Sequence, residues 1–395
     1  MAKTLKFGEN GKWATKTGSS MAYNDQNGNF KPAPFSVTRD SIATRVNKQG
    51  LIEVVGKDKL RIDYTDSSNG VALLEPSRTN YSIYSEDTST WTYTEFGSGS
   101  AGTITTGKTD MFGGTNAIQI DFPANAENVS VSFGHTTSSI SSGSAQTSLY
   151  IKLVGSTTPD KIIQLRTGSD AENITISGDS FVRYTKTHTK ASNEAFNLKL
   201  RPSEGTSSGG FSIIVCHPQE EAGSYATSYI PTSGSAVTRI AETCNGAGNS
   251  TVFNDSEGVL YAEIAALADD QTNRRITISD GTNNNRIVTG YNTNSNYIFY
   301  FIIDGGSTVA TGSYQLTDIK DYHKVGIKWK QNDFALWIDG VERHTDSSGT
   351  TPSGLDSLQF EQGSGGALYF YGKTKDLRVY DTALSDSELQ ALTSG

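Results

Sequence analysis

Side chains able to hydrogen-bond a cyclic polyol are densest in one stretch, SDGTNNNRIVTGYNTNSNY, which holds Asn283, Asn284, Asn285, Arg286, Tyr291, Asn292, Asn294 and Asn296. Binding a pyranose takes amides, hydroxyls and charged groups for the ring hydroxyls, and a planar apolar face for the C–H-rich side of the ring. The stretch supplies both in two adjacent loops that are expected at one end of a sheet. Asparagine and glycine are also turn formers, so each asparagine has a second reading as a turn residue. A further candidate is TSTWTYTEF, in which Trp91 and Tyr93 either face a ligand or close a core.

Other chemistries find less support. His135, His188, His217, His323 and His344 show no zinc-type spacing, and no G-x-S-x-G or H-E-x-x-H string occurs. Asp269, Asp270 and Asp280 could help to hold calcium, but DGTNNN lacks the acidic density of a dedicated loop. Calcium is left unassigned, and no cofactor, metal ligand or catalytic residue is assigned. Carboxylate pairs exist in any chain with 42 acidic residues, so a glycosidase pair is not legible from sequence. Cys216 ends the apolar run FSIIVC and reads as a buried free thiol; with Cys244 it makes no disulfide framework.

The elements that would position these residues are strands. At 395 residues the chain is long enough for two or three domains. Only 19% of residues are charged, and 40 glycines and 18 tyrosines accompany abundant Ser, Thr and Asn, a composition of short strands and tight turns. The net charge of -9, with no basic run, opposes nucleic acid as a partner. No apolar run is long enough to span a bilayer, and MAKTLKFGENGKWATKTG lacks the apolar core of a secretion signal, so synthesis in the cytoplasm without export is expected.

Period-2 alternation places Val129, Val131 and Phe133 on one face, Leu149, Ile151 and Leu153 on another, and Phe196, Leu198 and Leu200 on a third. Past residue 252 it recurs: Val325, Ile327 and Trp329 share a face, Trp337 reads as core, and Asp339-Gly340 reads as a hairpin turn. Ser385 followed by Glu388 forms a capping box for a short terminal helix within 383–393. The fold class is all-β: two antiparallel β-sandwiches with an N-terminal β-rich arm, marked by Asn10-Gly11 and Asn27-Gly28 around a segment beginning at Trp13, and a short C-terminal helix. The partition is 1–35 attachment arm, 36–80 extended connecting segment with little core of its own, 81–232 first sandwich, 233–251 linker and 252–395 second sandwich. Residues 220–239, EEAGSYATSYIPTSGSAVTR, should run back beside LLEPSRTN as a seam; Tyr225 and Tyr229 lie in that seam or form a sugar platform.

The strings SIATRVNKQGLIEVV, RIDYTD, LLEPSRTN and ATSYIPTSGSAVTR, in this order, resemble those of phage virion proteins of the tail-fibre and head-fibre kind. HKVGIKWKQNDFALWIDGVE and GKTKDLRVYDTALSDSELQALT are similar to concanavalin A-like, laminin-G-type domains. The resemblance implies a carbohydrate-binding-module-like jelly roll for 81–232 and a concanavalin A-like domain for 252–395. It departs at CHPQEEAG, where His217 and Pro218 stand in the last jelly-roll strand. It further implies a virion-surface fibre or decoration protein that adheres to host-surface or environmental glycans without catalysis. Its partners would be other virion proteins through the arm, and copies of itself, most simply in a trimer. The alternatives are a purely structural virion part and a glycan-degrading tailspike.

Overall fold

The computed structural model describes residues 3–8, 14–16, 19–23, 30–95, 101–126, 129–155, 159–167, 170–190, 194–203 and 209–395. The Asn10-Gly11 and Asn27-Gly28 turns and Trp13 lie outside them. Within them every strand pairing is antiparallel, apart from one isolated parallel bridge between Arg275 and Tyr369, with one short 3-10 turn and one α-helix, Asp386–Thr393. It divides into two compact units.

The unit made of 51–54 and 77–239 is a sandwich of two five-stranded antiparallel sheets. One is ordered Thr92–Glu95, Val129–Ile140, Glu194–Pro202, Lys161–Thr167, Asp170–Ile176; the other Thr103–Lys108, Ala117–Phe122, Phe211–Ala222, Gly143–Leu153, Val182–Lys190. Val129, Val131, Phe133, Leu149, Ile151, Leu153, Leu198 and Leu200 are all buried in its core, as alternation required. His217 and Pro218 do not end the strand Phe211–Ala222. Tyr150 pairs with Cys216 and Ser148 with Gln219, so two residues oppose Leu149 in a bulge where His217 takes φ 54°. Cys216 is a buried free thiol, as is Cys244 in the other unit.

The seam 220–239 runs beside 78–85. Val237 pairs with Asn80 and Arg239 with Arg78, Asn80 Nδ2 donates to the Ile230 carbonyl at 2.8 Å, and the Thr232 amide donates to Ser85 Oγ at 3.0 Å. Tyr229 is buried, its hydroxyl 2.7 Å from Ser85 Oγ, and Tyr225 carries Arg78 5.1 Å above its ring. Of the two readings of Tyr229, the buried seam is the one observed.

The other unit, 1–50, 55–76 and 240–395, holds the second sandwich. Its second sheet is a meander, Arg274–Ser279, Arg286–Tyr291, Tyr297–Asp304 and Ser307–Gln315, with Ser357–Gln359 beside the first strand. The larger sheet has Glu257–Ala266 between Gly372–Tyr380 and His323–Lys330, followed by Phe334–Ile338 and Val341–Asp346. Val325, Ile327 and Trp329 face the core, and Trp337 is buried on the opposite face beneath the helix residues Leu389 and Leu392. Asp339 and Gly340 have φ 49° and 79°, both positive as a two-residue hairpin turn requires. Glu388 caps the helix by accepting from the Ser385 amide at 2.9 Å.

Three sequence boundaries change. The described part of residues 1–35 does not form an arm apart: Lys3–Phe7 pairs with Gly372–Tyr380, and Phe7 is buried 4.5 Å from Phe35 in the core of this unit. Segment 36–80 is not core-poor, because Leu60, Ile62, Ala72 and Leu74 lie in the second sandwich's core. Nor is 233–251 an unstructured linker: Val237–Arg239 and Thr243–Asn245 are strands, and the boundary between units falls at 239/240.

What anchors 36–80 is a buried ion cluster. Glu242 Oε1 accepts from Arg39 Nη1 at 2.5 Å and from Arg61 Nε at 2.8 Å, its Oε2 takes the Arg61 Nη2, and Arg61 Nη1 lies 2.8 Å from Glu75 Oε2. All four residues are buried. Removing one member of such a cluster leaves uncompensated buried charge. Glu242→Gln is expected to lower the stability of this unit by about 3–5 kcal/mol, read as a fall in its urea midpoint; a midpoint equal to the parent's would show the cluster to be dispensable.

Candidate functional site

The meander separates the sequence candidates. Its turns alternate ends, so 280–285, with Asn283, Asn284 and Asn285, lies at one end of the strand Arg286–Tyr291, and 292–296, with Asn292, Asn294 and Asn296, lies at the other. A six-residue strand spans about 20 Å. The expectation that both loops share one end is corrected, because successive antiparallel hairpins must alternate. Several of the asparagine side chains are spent on intramolecular bonds, within their own turns for Asn283, Asn285 and Asn292 and to a following loop for Asn296. Asn285 Nδ2 donates to Asp280 at 2.8 Å, Asn292 Oδ1 accepts the Asn294 amide at 2.8 Å, and Asn296 Oδ1 accepts the Ile319 amide at 3.1 Å. Arg286 is buried, with Nη1 donating to Asn283 Oδ1 at 2.5 Å and to the Gln362 carbonyl at 2.7 Å.

Tyr291 is the clearest correction. It ends its strand on the core face, fully buried and stacked 6.0 Å from Phe370, and cannot touch a surface ligand. Trp91 is buried against Phe133 at 5.0 Å and closes the first sandwich's core. Tyr93 packs on the same core and donates its hydroxyl to the Asp121 carbonyl at 2.6 Å, which burial and the Asp121 charge make harder to ionise. The three aspartates considered for calcium do not converge either: Asp270 pairs with Arg274 at 2.6 Å and Asp269 bonds Ser295, whereas Asp280 lies beyond the far end of the strand Arg274–Ser279.

A cavity of about 520 Å³ opens instead on the outer face of the larger sheet. Tyr261 and Glu263 alternate outward from Glu257–Ala266, whose other face is core, and their cross-strand partners are Arg378 and Asp376 on Gly372–Tyr380 and, for Glu263, Lys324. Between the pairs Glu263–Asp376 and Ile264–Thr374 the register shifts, leaving Lys375 as the extra residue of a bulge. The bulge lets Lys375 and Asp376, neighbours in sequence, both line the cavity. Lys375 Nζ stands 3.7 Å over the Tyr322 ring and 3.5 Å from Glu263. Asp376 is buried, which pushes its carboxyl above the usual range although Arg378 Nε donates to it at 2.9 Å. Gly326 keeps the adjoining floor flat: a Cβ there would stand 3.3 Å from Thr393 of the helix.

The lining therefore alternates donors and acceptors: Lys324, Lys375 and Arg378 against Glu263 and Asp376, with Ser67 and Asn69 on the wall. Vicinal sugar hydroxyls, each donor and acceptor at once, suit such a surface. Sequence reasoning missed it, though LYAEI and KDLRV each carry polar side chains at alternate positions of an otherwise apolar strand.

Residues 249–390 match a family model, Laminin_G_3, described as the concanavalin A-like lectin/glucanases superfamily. No curated protein matches the chain. Among solved structures the chain is similar to the CBM40 domain of the Ruminococcus gnavus IT-sialidase bound to alpha2,3 sialyllactose, at 18% identity, over 38% of this chain and 94% of that one, TM-score 0.32. It is also similar to the CBM22-1 xylan-binding domain from Paenibacillus barcinonensis Xyn10C, at 14% identity, over 36% and 90%, TM-score 0.25. Mouse laminin alpha1 domains LG4-5 give 12% identity over 68% and 93%, TM-score 0.26.

Two predictions follow the placements. Tyr291→Ala should cost about 3–5 kcal/mol as a core truncation, while Tyr291→Phe should hold the parent's stability, since the buried hydroxyl has no protein partner among the described residues; a harmless alanine in thermal unfolding would contradict the core placement. On the cavity rim, Asp339 Oδ1 accepts the Lys324 amide at 2.9 Å and its Oδ2 lies 2.6 Å from His323 Nδ1. Burial works against the charged imidazole, but Asp339 and the Asp318 carbonyl outweigh it and raise its pKa. A raised folded pKa stabilises fully below the ordinary value of about 6.5 and is lost as pH rises through the folded value. The melting deficit of His323→Gln should accordingly be widest near about pH 5.5 and shrink by about pH 8; a deficit independent of pH would remove the charged pair from the account.

Proposed function

We propose that the chain is a non-catalytic glycan-binding protein whose contact surface is the cavity of the concanavalin A-like unit, and that it serves as a fibre or decoration protein on a phage virion. The observation that carries the binding is the convergence of Glu263, Asp376, Lys324, Lys375 and Arg378 on one cavity of about 520 Å³, within the range of small-ligand sites. The lectin/glucanase family match over 249–390 supports it. The virion setting is supported by the ordered strings from SIATRVN to SAVTR, and with it come the virion surface as location and a trimer as the working assembly.

One observation favours hydrolysis as a second reading. Glu263 and Asp376 are direct cross-strand partners that line one cavity, and glycosidases work with a pair of carboxyls flanking one site. Asp376 also has the raised pKa of a general acid. Its tie to Arg378 and its burial favour the binding reading.

A glycan array probed with the full-length protein, its Lys375→Met and Glu263→Gln variants and their melting curves distinguishes these readings. Retained fold with glycan signal lost about tenfold or more in either variant is expected, since each removes a charged hydrogen-bonding group. Unchanged signal in both variants would clear the cavity, and no signal for the parent would favour the purely structural role. Release of reducing ends, abolished by Asp376→Asn, would replace binding with hydrolysis.

A further inference from the structure

The outer face of the meander carries a second feature, on the opposite side of the same sandwich from the cavity. Its cross-strand rows are Arg275, Gly290, Phe299 and Ser313, then Thr277, Val288, Phe301 and Thr311. Phe299 and Phe301 stack 5.7 Å apart with planes at 18°. Arg275 lies over both rings, 5.9 and 5.2 Å from their centroids, and Arg286 lies 5.2 Å over Phe301. Gly290 sits between Arg275 and Phe299 and leaves the row open for the arginine to cross; at its φ of 150° a Cβ would come within 1.8 Å of the Arg274 carbonyl oxygen.

Two guanidinium groups therefore share one phenylalanine, and neither has a carboxylate partner among the described residues. Glu361, on the loop crossing this face, is turned away: its two oxygens accept the Gly365 and Gly366 amides at 2.8 Å each. The Arg275 side chain makes no hydrogen bond among the described residues, and the Nε atoms of both arginines are buried without a partner. Desolvation lowers both pKa values, and the Arg286 charge adds to the effect on Arg275. Folding alone gains little from holding like charges together; an anion would relieve them.

We propose that this face binds an oxyanion, carboxylate or sulfate, carried by an acidic polysaccharide, with the partly buried Arg275 making the contact and Arg286 adding its charge. A net charge of -9 argues against a densely charged nucleic acid, whose binding scales with many phosphate contacts rather than two. Sparse charge on a sugar chain suits a pair of guanidiniums on an aromatic base, which is planar, bidentate and weakly hydrated.

The site does not rest on the cavity, and the test keeps the two apart. Full-length protein is titrated with an oligogalacturonate and its methyl ester, and with a chondroitin sulfate oligosaccharide and its desulfated form, for the parent, Arg275→Gln, Arg275→Lys and the cavity variant Lys375→Met. At least one acidic saccharide should bind about tenfold tighter than its neutral counterpart, Arg275→Gln should lose about tenfold with an unchanged melting point, and Arg275→Lys should fall between. Lys375→Met should leave this charge preference intact. Which acid wins identifies carboxylate or sulfate. The proposal is overturned by equal binding of every acidic and neutral pair, by an Arg275→Gln variant that keeps the preference, or by a single-stranded oligonucleotide that outcompetes every acidic saccharide.

Discussion

The Glu242 carboxylate, buried between Arg39 and Arg61, is the constraint on which the second sandwich depends. Desolvating two guanidiniums together is costly without an anion, and one carboxylate reaching both offsets that cost with the fewest groups. Arg39 spends its remaining donors on the Ser41, Lys59 and Gly56 carbonyls at 3.0, 3.1 and 2.6 Å, and the Glu75 amide takes Glu242 Oε2 at 2.9 Å. No hydrophobic contact would specify the pairing so narrowly. The cluster draws the chain before the inserted unit, at Glu75, and the chain after it, at Glu242, into one place; the Glu242 amide donates to the Glu75 carbonyl at 3.1 Å. A whole sandwich can therefore be inserted in sequence between them without loosening the unit that receives it.

That unit then has two sheets with one face each committed to a shared core, and every second residue is released to the other face. Function in such a fold is a matter of parity. Tyr261 and Glu263 face outward because Leu260, Ala262 and Ile264 face inward; Arg275, Phe299 and Phe301 face outward because Ile276, Ile298 and Tyr300 do not. A bulge changes the parity at Lys375, and that extra residue brings two sequence neighbours, Lys375 and Asp376, to the cavity wall.

The same logic explains what was legible in the sequence. Alternation gave the core faces around Val131 and Ile327, the positive-φ pair Asp339-Gly340 gave its hairpin, and Ser385 with Glu388 gave the helix start. Each is local, resting on residues within a turn or a strand. Tyr291 was misplaced because a loop rich in asparagine drew the last residue of a strand into its count, though its parity with Ile287 already pointed inward. The two asparagine loops were joined because sequence proximity hides the reversal that every hairpin makes. Glu242 and its partners were out of reach for another reason: 181 residues separate Arg61 from it, and nothing local marks either as buried. The conspicuous strings RIDYTD and LLEPSRTN supply Arg61 and Glu75 to this cluster, so at least part of what makes them recognisable is structural.

A polar cavity that balances its own charges has an energetic consequence for the glycan binding proposed above, whichever sugar is considered. Lys375 with Glu263 and Arg378 with Asp376 are already paired, so a glycan must exchange its water for hydrogen bonds that are partly satisfied in advance, and each exchange nets little. The Tyr261 ring, which could have offered apolar area, lies beneath Arg378 at 5.3 Å and is buried. Against the fixed entropy cost of association, the proposed site would reach a Kd on the order of millimolar. Adhesion from weak sites comes from copies held together, where linkage multiplies affinity roughly 10²- to 10⁴-fold. A lone chain with this cavity would sample its ligand and let go; a symmetric assembly of such chains would hold. In the proposed adhesive role, the number of copies would therefore set the strength of attachment, with each side chain of the cavity setting only the strength of a single contact.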